Sequence, residues 1–202
     1  MARARVVVLV SGSGTNLQAL LDASVDPDYP AEVVAVGSDV LGIPALDRAE
    51  AAGIESFVVV PDQHPSRAAW DLVLADAVAV HLPDLVVMAG FMRLVGTVFL
   101  ERFPNRVINT HPALSPSFAG IEAPRQALEY GVKVTGCTIF IVDEGVDTGP
   151  ILAQATVPVN DDDDAEQLHE RIKVQERSLL VRTVSDLVSH PYRVEDRRVV
   201  WT

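Results

Sequence analysis

Apolar residues fall into two kinds of block along this chain, short solid runs and longer stripes of helical period. Val6 to Val10 is five consecutive apolar residues, four of them valine, stopped by Ser11-Gly12-Ser13-Gly14. A run of that length and composition reads as a strand buried on both faces. Glu32 to Ser38, Glu55 to Val60, Asp84 to Ala89 and Arg106 to Thr110 read as further strands. Helical stretches lie between them: Leu17 to Ala23, Ile43 to Ala52 closed by Gly53, a segment after Pro65 running to about Leu82, and Val95 to Arg102. In the third of these, Trp70, Val73, Ala77 and Val80 are spaced as one buried face. Strands alternating with helices predict βαβ units and a parallel sheet.

The pattern changes in the second half. Pro112 to Gly120 is loop-like, and Glu122 to Tyr130 is a helix ended by Gly131. Val134 to Val142 and Ile151 to Val159 are two β-rich runs joined by Asp143 to Pro150, a spacing that predicts an antiparallel extension of the sheet. Asp164 to Ser189 forms a long final helix whose apolar stripe is Leu168, Ile172, Leu179, Leu180, Val184 and Leu187. Val194 to Trp201 closes the chain as a small hairpin around Glu195 to Arg198. The expected fold is α/β: an open, mostly parallel sheet with helices on both faces and an antiparallel C-terminal extension, in a single domain spanning residues 1–202.

Charge and composition narrow the function. A net charge of −12 disfavours a broad footprint on nucleic acid, which binds chiefly through phosphate neutralisation. Anionic ligands must then be caught by a few local cations or by backbone N–H groups. No apolar run reaches the ~18 residues of a membrane span, and the run after the basic start Met1 to Arg5 is too short for a secretory signal. The single cysteine, Cys137, forms no internal disulfide, and no Cys/His spacing resembles a zinc site. A reducing cytoplasm fits best. The acidic run Asp161 to Asp164 precedes the final helix, where carboxylates cap the N-terminus and suit the macrodipole.

Four stretches carry candidate chemistry. In Asn109-Thr110-His111-Pro112 an amide and an imidazole stand two positions apart at a strand end, so both face the same way; they either decorate a turn or address one small group. Ser11 to Asn16 joins a strand to a helix through glycines, a natural anion site or simply a tight turn. Leu17 occupies the position where a dinucleotide fingerprint needs a small residue, and the P-loop lysine is missing, so a single phosphate fits better than NAD or ATP. Asp147, in the connection after the antiparallel strand, is either a turn residue or a partner that orients His111. Glu176 falls near the centre of the final helix's apolar stripe and needs a partner, either Lys173 one turn away or a ligand. Arg67, in the first turn of a helix, is disfavoured by the dipole and is either solvated or in contact with an anion. Phe91 and Met92, beside Gly90, line a flat ligand or pack in the core.

Taken in order, Ser11 to Gln18, Ala89-Gly90-Phe91-Met92-Arg93, Ile108 to Leu114 and Asp147 to Leu152 resemble the phosphoribosylglycinamide formyltransferase family of purine synthesis, as do Ser66 to Trp70 and Glu170 to Glu176. The resemblance covers nearly the whole chain. It implies a Rossmann-like α/β fold and formyl transfer from 10-formyltetrahydrofolate, the formyl-donor co-substrate, to the amine of glycinamide ribonucleotide, with no metal. On that resemblance Asn109, His111 and Asp147 are catalytic. Gly14, Thr15 and Asn16 hold the substrate phosphate with help from Lys173, and Glu176 binds ribose hydroxyls. Folate is held by Met92, Arg93, Leu94, Val95 and Asn109 with the loop Asp143, Glu144, Gly145, Val146 and Asp147, and Arg67 stands near an anionic part of a ligand. The implied division is a phosphate-binding half, about 1–104, and a catalytic and folate half, about 105–202. Partners are small molecules, without nucleic acid or membrane, for a monomer or homodimer. The chain departs from the family after His111, with Ser115 in place of the usual leucine and no histidines near Glu122 and Pro124.

Three rivals share parts of this pattern. A formyltetrahydrofolate hydrolase carries the same Asn/His/Asp set but is expected to have an additional N-terminal domain. A methionyl-tRNA formyltransferase is expected to have an additional C-terminal domain and a more basic surface. A non-catalytic folate- or phosphoribosyl-binding protein keeps the pockets without turnover.

Overall fold

The structure, a computed structural model, describes residues 2–202. Nine strands form one sheet: β1 (Ala4–Val10), β2 (Ala31–Ser38), β3 (Glu55–Val58), β4 (Leu85–Met88), β5 (Val107–His111), β6 (Val134–Ile141), β7 (Ile151–Pro158), β8 (Tyr192–Glu195) and β9 (Arg198–Trp201). Their spatial order is β3-β2-β1-β4-β5-β6-β7-β9-β8. The first five run parallel, and β6 and β7 add antiparallel. The expected C-terminal hairpin is the β8–β9 pair, joined to β7 at Ile151 and Arg198.

Strand β1 shows why the first apolar run is solid. Val6, Val8 and Val10 point into one core and Val7 and Leu9 into the other, so both faces of the alternation are buried. On the first face lie α1 (Thr15–Ser24), α2 (Pro44–Ala51), α5 (Ala123–Tyr130) and α6 (Ala165–Ser189), with Leu17, Ala45, Leu168 and Leu180 in the core. The second face is covered by α3 (Arg67–Ala79) and α4 (Thr97–Arg102), through Trp70, Leu74, Val78 and Phe99. Helix α6 begins at the predicted place because Asp164 accepts from the Gln167 N–H while Gln167 accepts from the Asp164 N–H, a reciprocal capping box. Among the described residues no helix is long and apolar enough to cross a membrane.

One helix is phased differently from its expected face. Trp70 is buried, but Val73 is 41% and Val80 73% exposed, and the buried positions are Trp70, Asp71, Leu74, Ala75 and Val78. Helix α3 is apolar nearly all round, so the spacing of its valines leaves the phase undetermined. The helix also stops at Ala79, three residues short of the expected Leu82.

The strand order places the site. After β1 the chain winds outward through β2 and β3, then returns to β4 on the opposite side of β1. At such a switch point the loops leaving neighbouring strands diverge and open a crevice at their carboxyl ends. The loop after β1 and the turn at Gly90 after β4 flank it, joined by the Ser11 N–H donating to the Gly90 carbonyl at 3.1 Å.

Farther along, the connection from β6 to β7 is tightly packed: a Cβ on Gly149 would lie 1.7 Å from the Ile141 carbonyl oxygen. Gly149→Ala is therefore expected to destabilise the fold by about 1–3 kcal/mol, as overpacking does. The measurement is denaturant unfolding, with a lower midpoint and an unchanged slope; an unshifted midpoint would contradict the packing.

Candidate active site

A cavity of about 680 Å³ opens along the crevice. Its walls come from the Gly12–Asn16 loop, the 88–95 segment, the end of β5, the loop after it, the connection between β6 and β7, and α6. The volume lies within the ~300–1,000 Å³ usual for small-molecule sites.

The β1–α1 loop is shaped for close backbone approach. Gly14 adopts φ 71°, and a Cβ there would lie 2.7 Å from the Ala45 Cβ, so only glycine fits against α2. Arg48, from α2, reaches under the loop and donates to the Ser13 carbonyl at 2.8 Å and to the Gln18 side-chain carbonyl at 2.9 Å. No side chain caps α1 at Gly14, so the first N–H groups of the helix remain directed at the cavity.

Helix α6 forms the facing wall through His169, Lys173 and Glu176. Glu176 is buried, and the Asn16 side-chain N–H donates to it at 2.9 Å. Lys173 pairs instead with Glu170, at 2.6 Å, so the expected Lys173–Glu176 alternative is not the arrangement seen. The Asn16 side-chain oxygen is buried and has no partner among the described residues, leaving an acceptor for a ligand donor. Burial holds the His169 imidazole below its usual range, and the neighbouring Lys173 ammonium lowers it further.

On β5, Asn109 pairs in register with Met88 on one side and Phe140 on the other. It faces the same way as His111, two residues on. The Asn109 side chain makes no hydrogen bond among the described residues, so its amide is unengaged. His111 is 4% exposed and held from both ends. Its Nε2–H donates to the Phe118 carbonyl at 2.9 Å, and Nδ1 lies 3.4 Å from the Asp147 carboxylate. Asp147 takes a left-handed conformation, φ 53°, which aspartate tolerates better than most residues, and accepts from the Gly120 N–H at 2.7 Å. The 112–122 loop is thus tied to both members of the imidazole–carboxylate pair.

Three comparisons locate this arrangement among known proteins. Residues 4–184 match the formyl transferase family. The chain belongs to that family. It is 56% identical over 196 residues to a phosphoribosylglycinamide formyltransferase of Mycobacterium tuberculosis, covering 97% of this chain and 90% of that one. It superposes on glycinamide ribonucleotide transformylase 1 of Symbiobacterium toebii with a TM-score of 0.96 at 45% identity, covering 98% and 94% of the two chains. A formyltetrahydrofolate deformylase of Pseudomonas syringae is also similar, with a TM-score of 0.90 at 26% identity over 98% of this chain and 66% of that one.

Against that family, the fold brings most of the expected residues to one cavity. Gly14, Thr15, Asn16, Met92, Arg93, Leu94, Val95, Asn109, His111, Asp143, Gly145, Val146, Asp147, Lys173 and Glu176 all line it. Arg67 and Glu144 do not. The Arg67 guanidinium stacks over Trp70, 5.4 Å from the ring centroid, and pairs with Asp71; Glu144 accepts from the Thr97 hydroxyl. Arg93 is anchored before any ligand arrives, donating to the buried Asp39 at 2.8 Å. Asp39 also accepts from the Ser11 hydroxyl, whose oxygen accepts from the Met92 N–H. Sequence reasoning missed Asp39, Arg48 and His169. Asp39 and His169 left a signal, an acid just past the end of β2 and a histidine one turn before Lys173; Arg48, 35 residues from the carbonyl it holds, left none.

The buried Asn16–Glu176 contact makes a sharp prediction. Asn16→Ala leaves a buried carboxylate without its donor and is expected to cost about 1–3 kcal/mol of stability. Adding Glu176→Leu should recover part of that loss, because removing both partners avoids the unpaired group. Urea titration of Asn16→Ala, Glu176→Leu and the double variant measures it, and a double variant showing the full sum of the two single losses would contradict the pairing.

Proposed function

We propose that the chain transfers the formyl group of 10-formyltetrahydrofolate to the amine of N1-(5-phosphoribosyl)glycinamide, yielding formylglycinamide ribonucleotide and tetrahydrofolate in purine biosynthesis. The observation that carries this reading is a single cavity whose walls include Asn109, His111 and Asp147 together with the Gly12–Asn16 loop, in a chain so similar to a phosphoribosylglycinamide formyltransferase. One ligand thereby reaches an anion-binding loop and a polar reaction centre at once.

In this reading the substrate phosphate rests on the N–H groups of Gly14, Thr15 and Asn16, with Lys173 supplying the cation. Glu176 accepts from ribose hydroxyls. The folate ring lies along Met92 to Val95 and the Asp143–Asp147 loop, within one domain whose halves, about 1–104 and 105–202, both contribute to each ligand.

The amine nitrogen attacks the formyl carbon and a C–N bond forms. The carbonyl electron pair moves to oxygen, giving a tetrahedral oxyanion that accepts from the Asn109 amide and from protonated His111. The intermediate collapses as the bond from carbon to folate N10 breaks and N10 keeps the electron pair. One proton leaves the amine and one arrives at N10, moved by His111 directly or through water. Asp147 acts through His111 by holding the ring in place. Nε2 serves the oxyanion only after the Phe118 carbonyl lets it go, so the 112–122 loop has to shift during turnover.

Two measurements test the proposal. Tetrahydrofolate release is expected only when 10-formyltetrahydrofolate and glycinamide ribonucleotide are both present; release without the amine favours a hydrolase, and none at all favours a binding protein. Asn109→Ala is expected to lower kcat by about 10²–10³-fold with little change in KM, as loss of one oxyanion donor does. His111→Ala should be at least as damaging. Normal turnover in either variant would rule out the mechanism.

A further inference from the structure

Outside the active site, a second cleft of about 540 Å³ runs between α1, α2 and α6. Thr15, Gln18, Ala19 and Asp22 line one side, at the i, i+3, i+4, i+7 spacing of a single helix face. Arg177, Ser178, Val181 and Arg182 line the other, and Arg48 lies between them. Three guanidiniums therefore face one carboxylate, in a chain whose net charge is −12.

The arginines differ in what already holds them. Arg48 is engaged with Ser13 and Gln18, and Gln18 in turn donates to Asp22 at 2.8 Å, which draws the one acid of the cleft into an internal chain. Arg177 and Arg182 make no side-chain hydrogen bond and no ion pair among the described residues. Of the 16 lysines and arginines, only Arg102 and Arg198 share that condition. Two unengaged guanidiniums beside a third in one concavity leave donors free for an anion on a surface that is acidic overall.

We propose that this cleft is a second anion site, distinct from the reaction centre, and that it takes a polyphosphate chain, free or carried by a nucleotide. Guanidinium forks match phosphate oxygens and bind them in pairs. Arg177 and Arg182, five residues apart on α6, both line the cleft with Arg48, so a chain of linked phosphates offers each guanidinium an anionic group of its own, whereas an orthophosphate offers a single one. Thr15 and Ser178 also line the cleft and carry hydroxyls, further donors for an anion. Thr15 lines both cavities, so the start of α1 is the wall between them.

The test is calorimetric titration of the full-length protein with inorganic tripolyphosphate, with ATP and with orthophosphate, at one low ionic strength. Tripolyphosphate is expected to bind with a stoichiometry of one and to lose at least about tenfold in affinity in Arg177→Ala/Arg182→Ala, since charge-assisted contacts are removed. Lys173→Ala, in the active site, should leave that binding in place, and orthophosphate should bind at least about tenfold more weakly. ATP binding as tightly as tripolyphosphate or tighter identifies a nucleotide site; ATP binding more weakly identifies a site for the free chain. Equal affinity in the arginine double variant, or loss of binding in Lys173→Ala alone, would overturn the proposal by placing the anion at the active-site loop. Because the readout is binding, it stands apart from whether formyl transfer is the reaction.

Discussion

The reversal of strand order between β1 and β4 is the constraint on which the rest of the structure depends. Two parallel strands whose onward connections leave in opposite directions cannot cover the gap between their carboxyl ends, and the gap becomes the crevice. Each functional segment is then placed by its relation to that edge. The β1 loop supplies free N–H groups, and the β4 turn carries Met92 to Val95. One strand farther, β5 carries Asn109 level with Met88, the last residue of β4. The connection from β6 to β7 folds back until Asp147 reaches His111.

A sheet edge does not by itself hold a loop in one shape, and the polar contacts behind the crevice show how that is done. Arg48 ties the Ser13 carbonyl to α2, Asp39 gathers Ser11 and Arg93, and Asn16 bonds to Glu176 across 160 positions of sequence. The last of these couples the first helix to the last. Glu176 lies among apolar neighbours, where a carboxylate is costly without hydrogen bonds. Asn16 supplies one donor and leaves its own oxygen without a partner in the protein. A sugar hydroxyl, which both donates and accepts, suits such a pair better than a purely anionic group does.

What was legible in the sequence follows from the range of the forces involved. Solid valine runs and turn glycines are local signals, and the strands lie where those signals put them. Asn109 and His111 were readable as neighbours because strand alternation is also local. The phase of α3 was not, since Leu72, Val73, Leu74, Val78 and Val80 place apolar groups on several faces and only the tertiary partner selects one. Asp39, Arg48 and His169 act through contacts set by the fold; Arg48 lies 35 residues from the carbonyl it holds. Lys173 looked like the partner of Glu176 on spacing alone, yet a flexible ammonium three residues from two carboxylates pairs with the solvent-facing one, where its desolvation is smaller.

The arrangement around His111 gives the loop after it a part in the proposed transfer, although in that reading the loop supplies none of the reacting groups. A backbone carbonyl and a carboxylate only accept hydrogen bonds, so each ring nitrogen faces an acceptor, and the hydrogen on Nε2 is directed at Phe118. The same loop donates from Gly120 to Asp147. While those two contacts last, the imidazole is oriented and shielded but its donor is spent on the protein. A ligand oxygen competes for that donor most effectively when it carries negative charge, because a charged acceptor makes the stronger bond. In the proposed transfer, exchange of the Phe118 carbonyl for an oxyanion is therefore favoured in the tetrahedral state over the formyl ground state, so the donor is released as the charge it serves develops.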